Sequence, residues 1–180
     1  MASVESNARL LVLLMKQDDP KKCTSAKLFR MGYAEVIHRP SSIRSGIIVL
    51  DPFAEQVLLP ADRQRILTRG LCVVDCSWER AQRVFSRRLS RWSRSLPLVL
   101  AGNPVNYGQL GKLSSLEAFV AALKVVGLDD QAEQITGLYK WGPTFLTLNE
   151  NPLLEYARAG TQEEVRNIEQ SYFSSTRTHC

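Results

Sequence analysis

Short apolar runs alternate with helical patterns along the first hundred residues, and this alternation constrains the fold more than any other feature of the sequence. The apolar runs lie at residues 9–15, 34–38, 46–50, 70–74 and 96–101. Helical patterns lie between them, at residues 24–31, 60–69 and 78–92. Buried parallel strands have almost entirely apolar sequences, and helical crossovers join them. The alternation therefore predicts an α/β unit with a mainly parallel sheet.

The second part of the chain shows only helical patterns, at residues 114–126, 129–138, 143–148, 152–159 and 163–172. Ser114 and Glu117 stand three residues apart at the start of the first pattern, a spacing typical of a capping box. The length of 180 residues allows one domain or two small ones. The change of pattern favours two, an α/β domain over residues 1–101 and a helical domain over residues 102–180.

Basic residues are concentrated in the first part of the chain. Residues 1–100 contain 17 Lys and Arg against 9 Asp and Glu, whereas residues 101–180 contain 6 against 9. Helical spacing places in a single stripe Arg80, Arg83, Arg87, Arg91 and Arg94. A second basic group contains Lys21, Lys22, Lys27 and Arg30. A solvated polar face is the alternative, but such faces usually mix both signs. Both groups therefore predict a polyanion such as RNA as the partner.

Polar or turn residues follow three of the apolar runs, beginning with Asp51, Asp75 and Gly102. Ligands of open parallel sheets bind outside the carboxyl ends of the strands, so these loops predict one pocket. The alternative is that loops simply contain such residues. Asp75 either caps the next helix or, partly desolvated, accepts a proton. Trp78, close behind it, is either a core residue or the wall of a cofactor pocket.

Several other classes of protein are disfavoured by what the sequence lacks. No glycine spacing matches a dinucleotide or P-loop motif, and no Cys-x-x-Cys pair is present to hold zinc. His38 and His179 are the only histidines, which disfavours nucleophilic triads. The apolar run at residues 10–15 is far shorter than the roughly 20 residues of a membrane helix. The four unevenly spaced cysteines predict reduced thiols and a cytoplasmic protein.

Specific strings follow one another in an order that resembles a known family. They are DPKKCT at residues 19–24, LDP at 50–52, GLCVVDCSW at 70–78, NPVNYG at 103–108, KLSSLEA at 112–118 and KWG at 140–142. Over residues 10–157 the chain is similar to the small-subunit (16S/18S) rRNA aminocarboxypropyltransferases of ribosome biogenesis. It resembles the archaeal form, because it has no long acidic tail.

The resemblance implies a SPOUT-like knotted N-terminal domain with a mainly parallel sheet, followed by an all-helical C-terminal domain that completes the cofactor pocket. It implies transfer of the 3-amino-3-carboxypropyl group from S-adenosylmethionine to N3 of N1-methylpseudouridine in small-subunit rRNA, with release of methylthioadenosine. The expected partner is this rRNA or a pre-ribosomal particle, and the expected state is a monomer without a metal or a membrane. The alternatives are a SPOUT-type RNA methyltransferase and a non-catalytic rRNA-binding assembly factor.

The resemblance also implies which residues surround the reacting end of the cofactor. Thr24 and the Ser115 N–H would hold the carboxylate of the transferred group. Trp78 and Ala81 would bury the methyl group, which leaves the γ-carbon of the amino-acid chain facing the RNA. Asp75 matches an acidic position beside this centre and is the candidate catalytic residue.

A further set of residues is implied around the nucleoside end of the cofactor. The Val74 carbonyl would reach the ribose hydroxyls, while the Leu98 N–H and the Gly111 carbonyl would read the adenine edge. The apolar wall around adenine and ribose would consist of Leu50, Pro52, Trp78, Leu98, Leu113 and Ala118.

Overall fold

The computed structural model describes residues 7–14, 24–75 and 89–174. These residues contain five strands, β1 (Leu10–Leu14), β2 (Glu35–Ile37), β3 (Ile48–Leu50), β4 (Leu71–Asp75) and β5 (Ser93–Arg94). The strands form one sheet in the order β2-β1-β4-β3-β5, and every neighbouring pair is parallel. The parallel sheet predicted from the alternating pattern is therefore confirmed.

The same residues contain six α-helices: α1 (Thr24–Arg30), α2 (Arg63–Arg69), α3 (Ser115–Val125), α4 (Asp129–Thr136), α5 (Gly142–Tyr156) and α6 (Gln162–Phe173). Short 3-10 helices precede β3 and α2, at Pro40–Ser42 and Pro60–Asp62. The helices predicted at 143–148 and 152–159 form a single helix, α5, with Pro152 in its interior. A proline removes one backbone donor, but the helix continues through it here, and both Pro152 and Leu153 are buried.

The fifth strand differs from its prediction. It was expected at residues 96–101, but β5 lies earlier, where Ser93 and Arg94 pair with Val49 and Leu50 of β3. The helix predicted at 78–92 does not extend to its expected end, because residues 89–92 are not helical. Residues 76–88 lie outside the described part of the chain.

Residues 96–101 lie outside the sheet and are held by side chains of the last two helices and by residues 108–111, where Leu110 forms an isolated antiparallel bridge with Leu100. Asn149 accepts a hydrogen bond from the Leu100 N–H at 2.7 Å and donates one to the Leu100 carbonyl at 2.8 Å. The Tyr156 hydroxyl donates to the Leu98 carbonyl at 2.9 Å, and Glu169 accepts from the Leu98 N–H at 3.0 Å. These side chains satisfy backbone groups that a neighbouring strand would otherwise satisfy.

One hydrophobic core joins the sheet to helices from both halves of the chain. Ile48 and Leu50 of β3 lie beside Leu71 and Val73 of β4 on the face that forms this core. The helices add buried side chains to it, among them Leu28, Ile66, Phe119, Ile135, Phe145 and Val165. The predicted all-helical second domain is therefore wrong, because its helices share their core with the sheet. No helix of the described ranges is long and apolar enough to cross a bilayer.

Candidate functional site

The carboxyl ends of the central strands bring four predicted site residues to one edge of the sheet. The register pairs Leu14 with Asp75 and Leu50 with Val73, so β1, β3 and β4 end at nearly the same level. Leu50 and Val74 are buried there, whereas Asp75 is half-buried and Pro52 is exposed. This edge is where ligands of open parallel sheets bind.

Asp51 shapes the turn that carries Pro52. Its Oδ1 accepts a hydrogen bond from the Phe53 N–H at 2.9 Å, and its carbonyl accepts from Ala54 at 3.1 Å. Its own N–H donates to the Arg94 carbonyl at 2.9 Å, which ties the turn to β5. Burial raises the pKa of Asp51, although the hydrogen bond from Phe53 acts in the opposite direction. Asp51 therefore acts as a turn residue, as the simpler interpretation of the sequence expected.

Glu117 binds the start of α3 to the loop that follows Ala101. The capping box predicted from Ser114 and Glu117 is confirmed, since the Ser114 Oγ accepts from the Glu117 N–H at 3.3 Å and Glu117 accepts from the Ser114 N–H at 2.7 Å. The fully buried carboxylate also accepts from the N–H groups of Gly102 and Asn103 at 2.7 and 2.9 Å, and from Asn103 Nδ2 at 2.7 Å. Ser115 and Ala118 are thereby fixed relative to this loop.

The loop itself, residues 102–108, is closed by its own hydrogen bonds. Asn103 Oδ1 accepts from the N–H groups of Val105 and Asn106 at 3.2 and 3.0 Å. The Gly108 N–H donates to the Ala101 carbonyl at 2.7 Å. Gly108 has φ of +73°, a conformation that favours glycine, so the chain can turn back there. The result is an ordered loop next to the first turn of α3.

The predicted adenine-reading groups are already hydrogen-bonded within the protein. The Leu98 N–H donates to Glu169, and the Leu98 carbonyl accepts from Tyr156. The Gly111 carbonyl accepts from the Leu113 N–H at 3.0 Å, but a carbonyl has a second lone pair and can accept again. A base could therefore use the Gly111 carbonyl as it stands, whereas the Leu98 N–H would first have to leave Glu169.

Thr24 is the first residue of α1, and Ser25 follows it with a buried hydroxyl group. Ser25 is fully buried, and its Oγ has no hydrogen-bond partner within the described ranges. A buried hydroxyl without a partner costs about 1–3 kcal/mol, so the position favours the arrival of an acceptor. Helix α1 packs against α3, the helix that begins at Ser115.

The predicted basic surface is only partly supported by the described residues. Arg30 and Arg91 are exposed, as a phosphate-binding surface requires. Lys27 is half-buried, with its ammonium 4.1 Å from the centre of the Tyr139 ring and donating to the Leu138 carbonyl. Seven of the predicted site residues lie outside the described ranges: Trp78, Ala81, Lys21, Lys22, Arg80, Arg83 and Arg87.

The prediction that Arg94 continues the exposed stripe is wrong. Arg94 lies in β5, only 9% exposed, where its Nε and Nη2 each donate to one oxygen of Asp62 at 3.1 Å. Such a fork-to-carboxylate pair is geometrically specific, and here it ties β5 to the 3-10 helix that precedes α2. Arg94 therefore has a structural role in this fold.

The chemistry of Cys72 does not support a catalytic role. It lies in the middle of β4, and burial raises the pKa of its thiol to about 12. The thiol stays neutral at physiological pH, and a neutral thiol is a poor nucleophile. No group of three or more His, Cys, Asp and Glu side chains in the described ranges could hold a metal ion.

Sequence reasoning missed the side chains that position this region from a distance. Asn149, Tyr156 and Glu169 hold residues 98–100, and Glu117 reaches back to Gly102 and Asn103. The capping-box pattern was the only available signal, and it located one of the two roles of Glu117. The other contacts join residues 14 to 71 positions apart, which no local pattern reveals.

Known proteins resemble this chain over nearly its whole length. Residues 48–173 match the family described as Ribosome biogenesis protein, C-terminal. The 16S rRNA aminocarboxypropyltransferase of Methanopyrus kandleri is 44% identical over 165 residues, which cover 91% of this chain and 97% of that protein. The protein of the same name from Methanosarcina mazei is 45% identical over 158 residues, covering 87% and 90%.

A solved structure extends the likeness from sequence to fold. The SAM-dependent rRNA:acp-transferase of Vulcanisaeta distributa matches with a TM-score of 0.81 and 37% identity, covering 94% of this chain and 98% of that one. This chain belongs to the family of the 16S rRNA aminocarboxypropyltransferases, and the predicted family resemblance is confirmed.

The same comparison corrects the fold class. The solved relative supports an α/β fold with a parallel sheet and does not show the SPOUT-type knot that the resemblance implied. The prediction of a knotted N-terminal domain followed by an all-helical domain is therefore wrong. The fold is a parallel sheet whose main core is shared with helices from the whole chain.

Proposed function

We propose that this chain transfers the 3-amino-3-carboxypropyl group of S-adenosylmethionine to N3 of N1-methylpseudouridine in small-subunit rRNA. The observation that carries the proposal is the match to relatives named for this transfer, at 44–45% identity over at least 87% of the chain. The protein is accordingly a transferase that uses S-adenosylmethionine and acts on small-subunit rRNA. The identity of the nucleotide rests on the sequence resemblance alone.

The donor site in this proposal lies at the carboxyl edge of the sheet and is completed by residues 102–180. Thr24 and the Ser115 N–H hold the carboxylate, and the two helices that begin at these residues pack against each other. The Gly111 carbonyl accepts from the adenine, and the Val74 carbonyl from the ribose. The remaining donor-site residues of the proposal are Leu50, Pro52, Trp78, Ala81, Leu98, Leu113 and Ala118.

The chain's task in the reaction is mainly to orient. S-adenosylmethionine supplies a sulfonium whose γ-carbon can be attacked, and the choice among its three carbons depends on which one faces the nucleophile. Burial of the methyl group and fixation of the carboxylate leave the γ-carbon exposed to the RNA. As the bond from N3 to this carbon forms and the carbon–sulfur bond breaks, the N3 proton must leave and methylthioadenosine departs.

Asp75 is the proposed acceptor or orienter of that proton. Its position supports the role, because it is half-buried at the end of β4, directly after Val74 and level with the end of β1. Asp75→Asn keeps the shape of the side chain but removes its basicity. We expect this variant to lose kcat by about 10²-fold or more, within the range of general base catalysis, while the affinity for S-adenosylhomocysteine stays the same. An unchanged kcat would remove Asp75 from the chemistry.

The RNA-binding surface of the proposal combines exposed and undescribed basic residues. Arg30 and Arg91 belong to it because they are exposed, and Lys27 precedes Arg30 by three positions. The remaining members are Lys21, Lys22, Arg80, Arg83 and Arg87. We further propose that the protein is a monomer, that it acts in the cytoplasm, and that its substrate is this rRNA or a pre-ribosomal particle that contains it.

A labelled-donor experiment tests the function directly. The protein is incubated with small-subunit rRNA that carries N1-methylpseudouridine but lacks the 3-amino-3-carboxypropyl group. The S-adenosylmethionine carries the label either in the carboxypropyl chain or in the methyl group. We expect label in the RNA only from the first donor. Label only from the methyl group would instead identify an RNA methyltransferase. No transfer and no calorimetric affinity for the donor would identify a non-catalytic assembly factor.

A further inference from the structure

The loop at residues 102–108 displays two large apolar side chains to solvent. Val105 is 84% exposed and Tyr107 is 59% exposed. Tyr107 forms no hydrogen bond or ring contact with another residue of the described ranges. By contrast, Tyr172, which is exposed on α6, hydrogen-bonds to Glu155. Packing against the described residues therefore does not explain why an aromatic residue stands in this loop.

The loop is held rigidly although its tip contributes nothing to the core. Asn103 orders the turn through Val105 and Asn106, and the buried carboxylate of Glu117 anchors both Gly102 and Asn103. The closing contact of Gly108 with Ala101 fixes the other end. An aromatic ring on a preordered loop can bind a flat partner without paying the entropy of ordering the loop.

The charges around Tyr107 favour an anionic partner. From Ala101 to Leu116 the chain contains no Asp or Glu and one base, the exposed Lys112. The nearest acid along the chain, Glu117, is fully buried and uses its oxygens within the protein. An exposed aromatic ring on a segment that carries a base and no exposed acid is suited to the stacking of unpaired bases of nucleic acids.

The loop is also connected to the donor site of the proposed function. Asn103 Nδ2 donates to Glu117, whose other contacts fix Ser114 at the start of α3. Ser115, which follows, is the residue whose N–H is proposed to hold the carboxylate of the transferred group. A base bound on the loop would thus be held by the same network that positions the donor.

We propose that Tyr107, with Val105 beside it, forms a stacking platform for an unpaired base of the substrate RNA next to the modified nucleotide. The proposal rests on the proposed function, since it takes the RNA substrate from it. Stacking of an aromatic side chain on a base contributes about 1–3 kcal/mol and requires an unpaired nucleotide. The platform would therefore select a loop or bulge of the rRNA rather than a continuous duplex.

The test compares the wild-type protein with Tyr107→Ala and Tyr107→Phe. Affinity for small-subunit rRNA that carries N1-methylpseudouridine without the transferred group, and KM for the same RNA in the labelled-donor assay, are measured for each. We expect Tyr107→Ala to weaken RNA binding about 5- to 150-fold, the equivalent of about 1–3 kcal/mol, and Tyr107→Phe to bind within about twofold of wild type. Affinity for S-adenosylhomocysteine and the melting temperature should not change in either variant.

A matched control removes an exposed apolar side chain elsewhere. Leu154 in α5 is 54% exposed and stands next to Glu155, so Leu154→Ala should leave RNA affinity unchanged. Unchanged RNA affinity in Tyr107→Ala would overturn the proposal, and so would an equal loss in Tyr107→Phe, which would indicate the hydroxyl rather than stacking. Loss of a protein partner with RNA affinity intact would assign the loop to protein binding instead. Wild-type transfer is measured first, so failure of the proposed function is recognised separately.

Discussion

Replacing Glu117 with Gln tests whether one buried carboxylate holds the candidate site together. Each of its two oxygens accepts two hydrogen bonds, one oxygen from Gly102 and Asn103, the other from Asn103 Nδ2 and Ser114. A glutamine keeps one oxygen but turns an NH₂ group toward the other two donors. Two charge-assisted hydrogen bonds of about 1.5–3 kcal/mol each are lost, so the free energy of unfolding should fall by about 3–6 kcal/mol.

Such a loss is large beside the total stability of a protein, which is typically about 5–15 kcal/mol. For a chain of this length it corresponds to a decrease in melting temperature of roughly 6–24 °C. Urea unfolding followed by circular dichroism measures it. Glu133→Gln, on the exposed surface of α4, is the matched control and should change stability by no more than about 1 kcal/mol. If Glu117→Gln were as stable as this control, the network would not carry the stability assigned to it.

Two further predictions concern buried groups of the sheet. Asp62→Ala leaves the guanidinium of Arg94 buried without its carboxylate partner, so the free energy of unfolding measured in urea should fall by about 3–5 kcal/mol. Asp129→Ala removes one partner of an exposed ion pair and should lower it by only about 0–1 kcal/mol. Equal losses would contradict the structural role of the buried pair. Burial raises the pKa of Cys72 from its ordinary 9.0 to about 12, so between these values the unfolded chain ionises and the native chain does not. The contribution of this thiol to stability is therefore complete below pH 9 and lost as the pH rises toward 12. The urea midpoint of unfolding should change less between pH 8 and pH 11 in Cys72→Ala than in the wild-type protein. The same change in both proteins would refute this prediction.

The central strands could be predicted because their signal is local. Buried parallel strands are apolar on both faces, and the ends of the runs at 9–15, 46–50 and 70–74 agree with those of β1, β3 and β4 to within two residues. The start of α3 was predictable for a similar reason, since both partners of its capping box lie within four residues. Local patterns therefore located the edge of the sheet on which Leu50, Val74 and Asp75 stand.

The predictions that are wrong depend on contacts between distant residues. Residues 96–101 are as apolar as a strand, but they do not join the parallel sheet. Their hydrogen bonds go to side chains of α5 and α6 and to the backbone of residues 108–111. Arg94 continues the spacing of the arginine stripe, yet its partner Asp62 stands 32 positions earlier and draws it into the interior. Neither the identity nor the distance of these partners is encoded in periodicity or charge.

The hydrogen bond between the Leu98 N–H and Glu169 makes the structure around residue 98 depend on the last helix. Glu169 follows Leu98 by 71 positions and accepts the hydrogen bond from its N–H. At synthesis rates of about 5–20 residues per second, the nascent chain exposes Leu98 roughly 4–14 s before Glu169 is made. During that interval the amide must be satisfied by water or by a chaperone. The edge of the candidate site is therefore finished late in translation, and a ribosome stalled before α6 would carry a nascent chain in which that edge is incomplete.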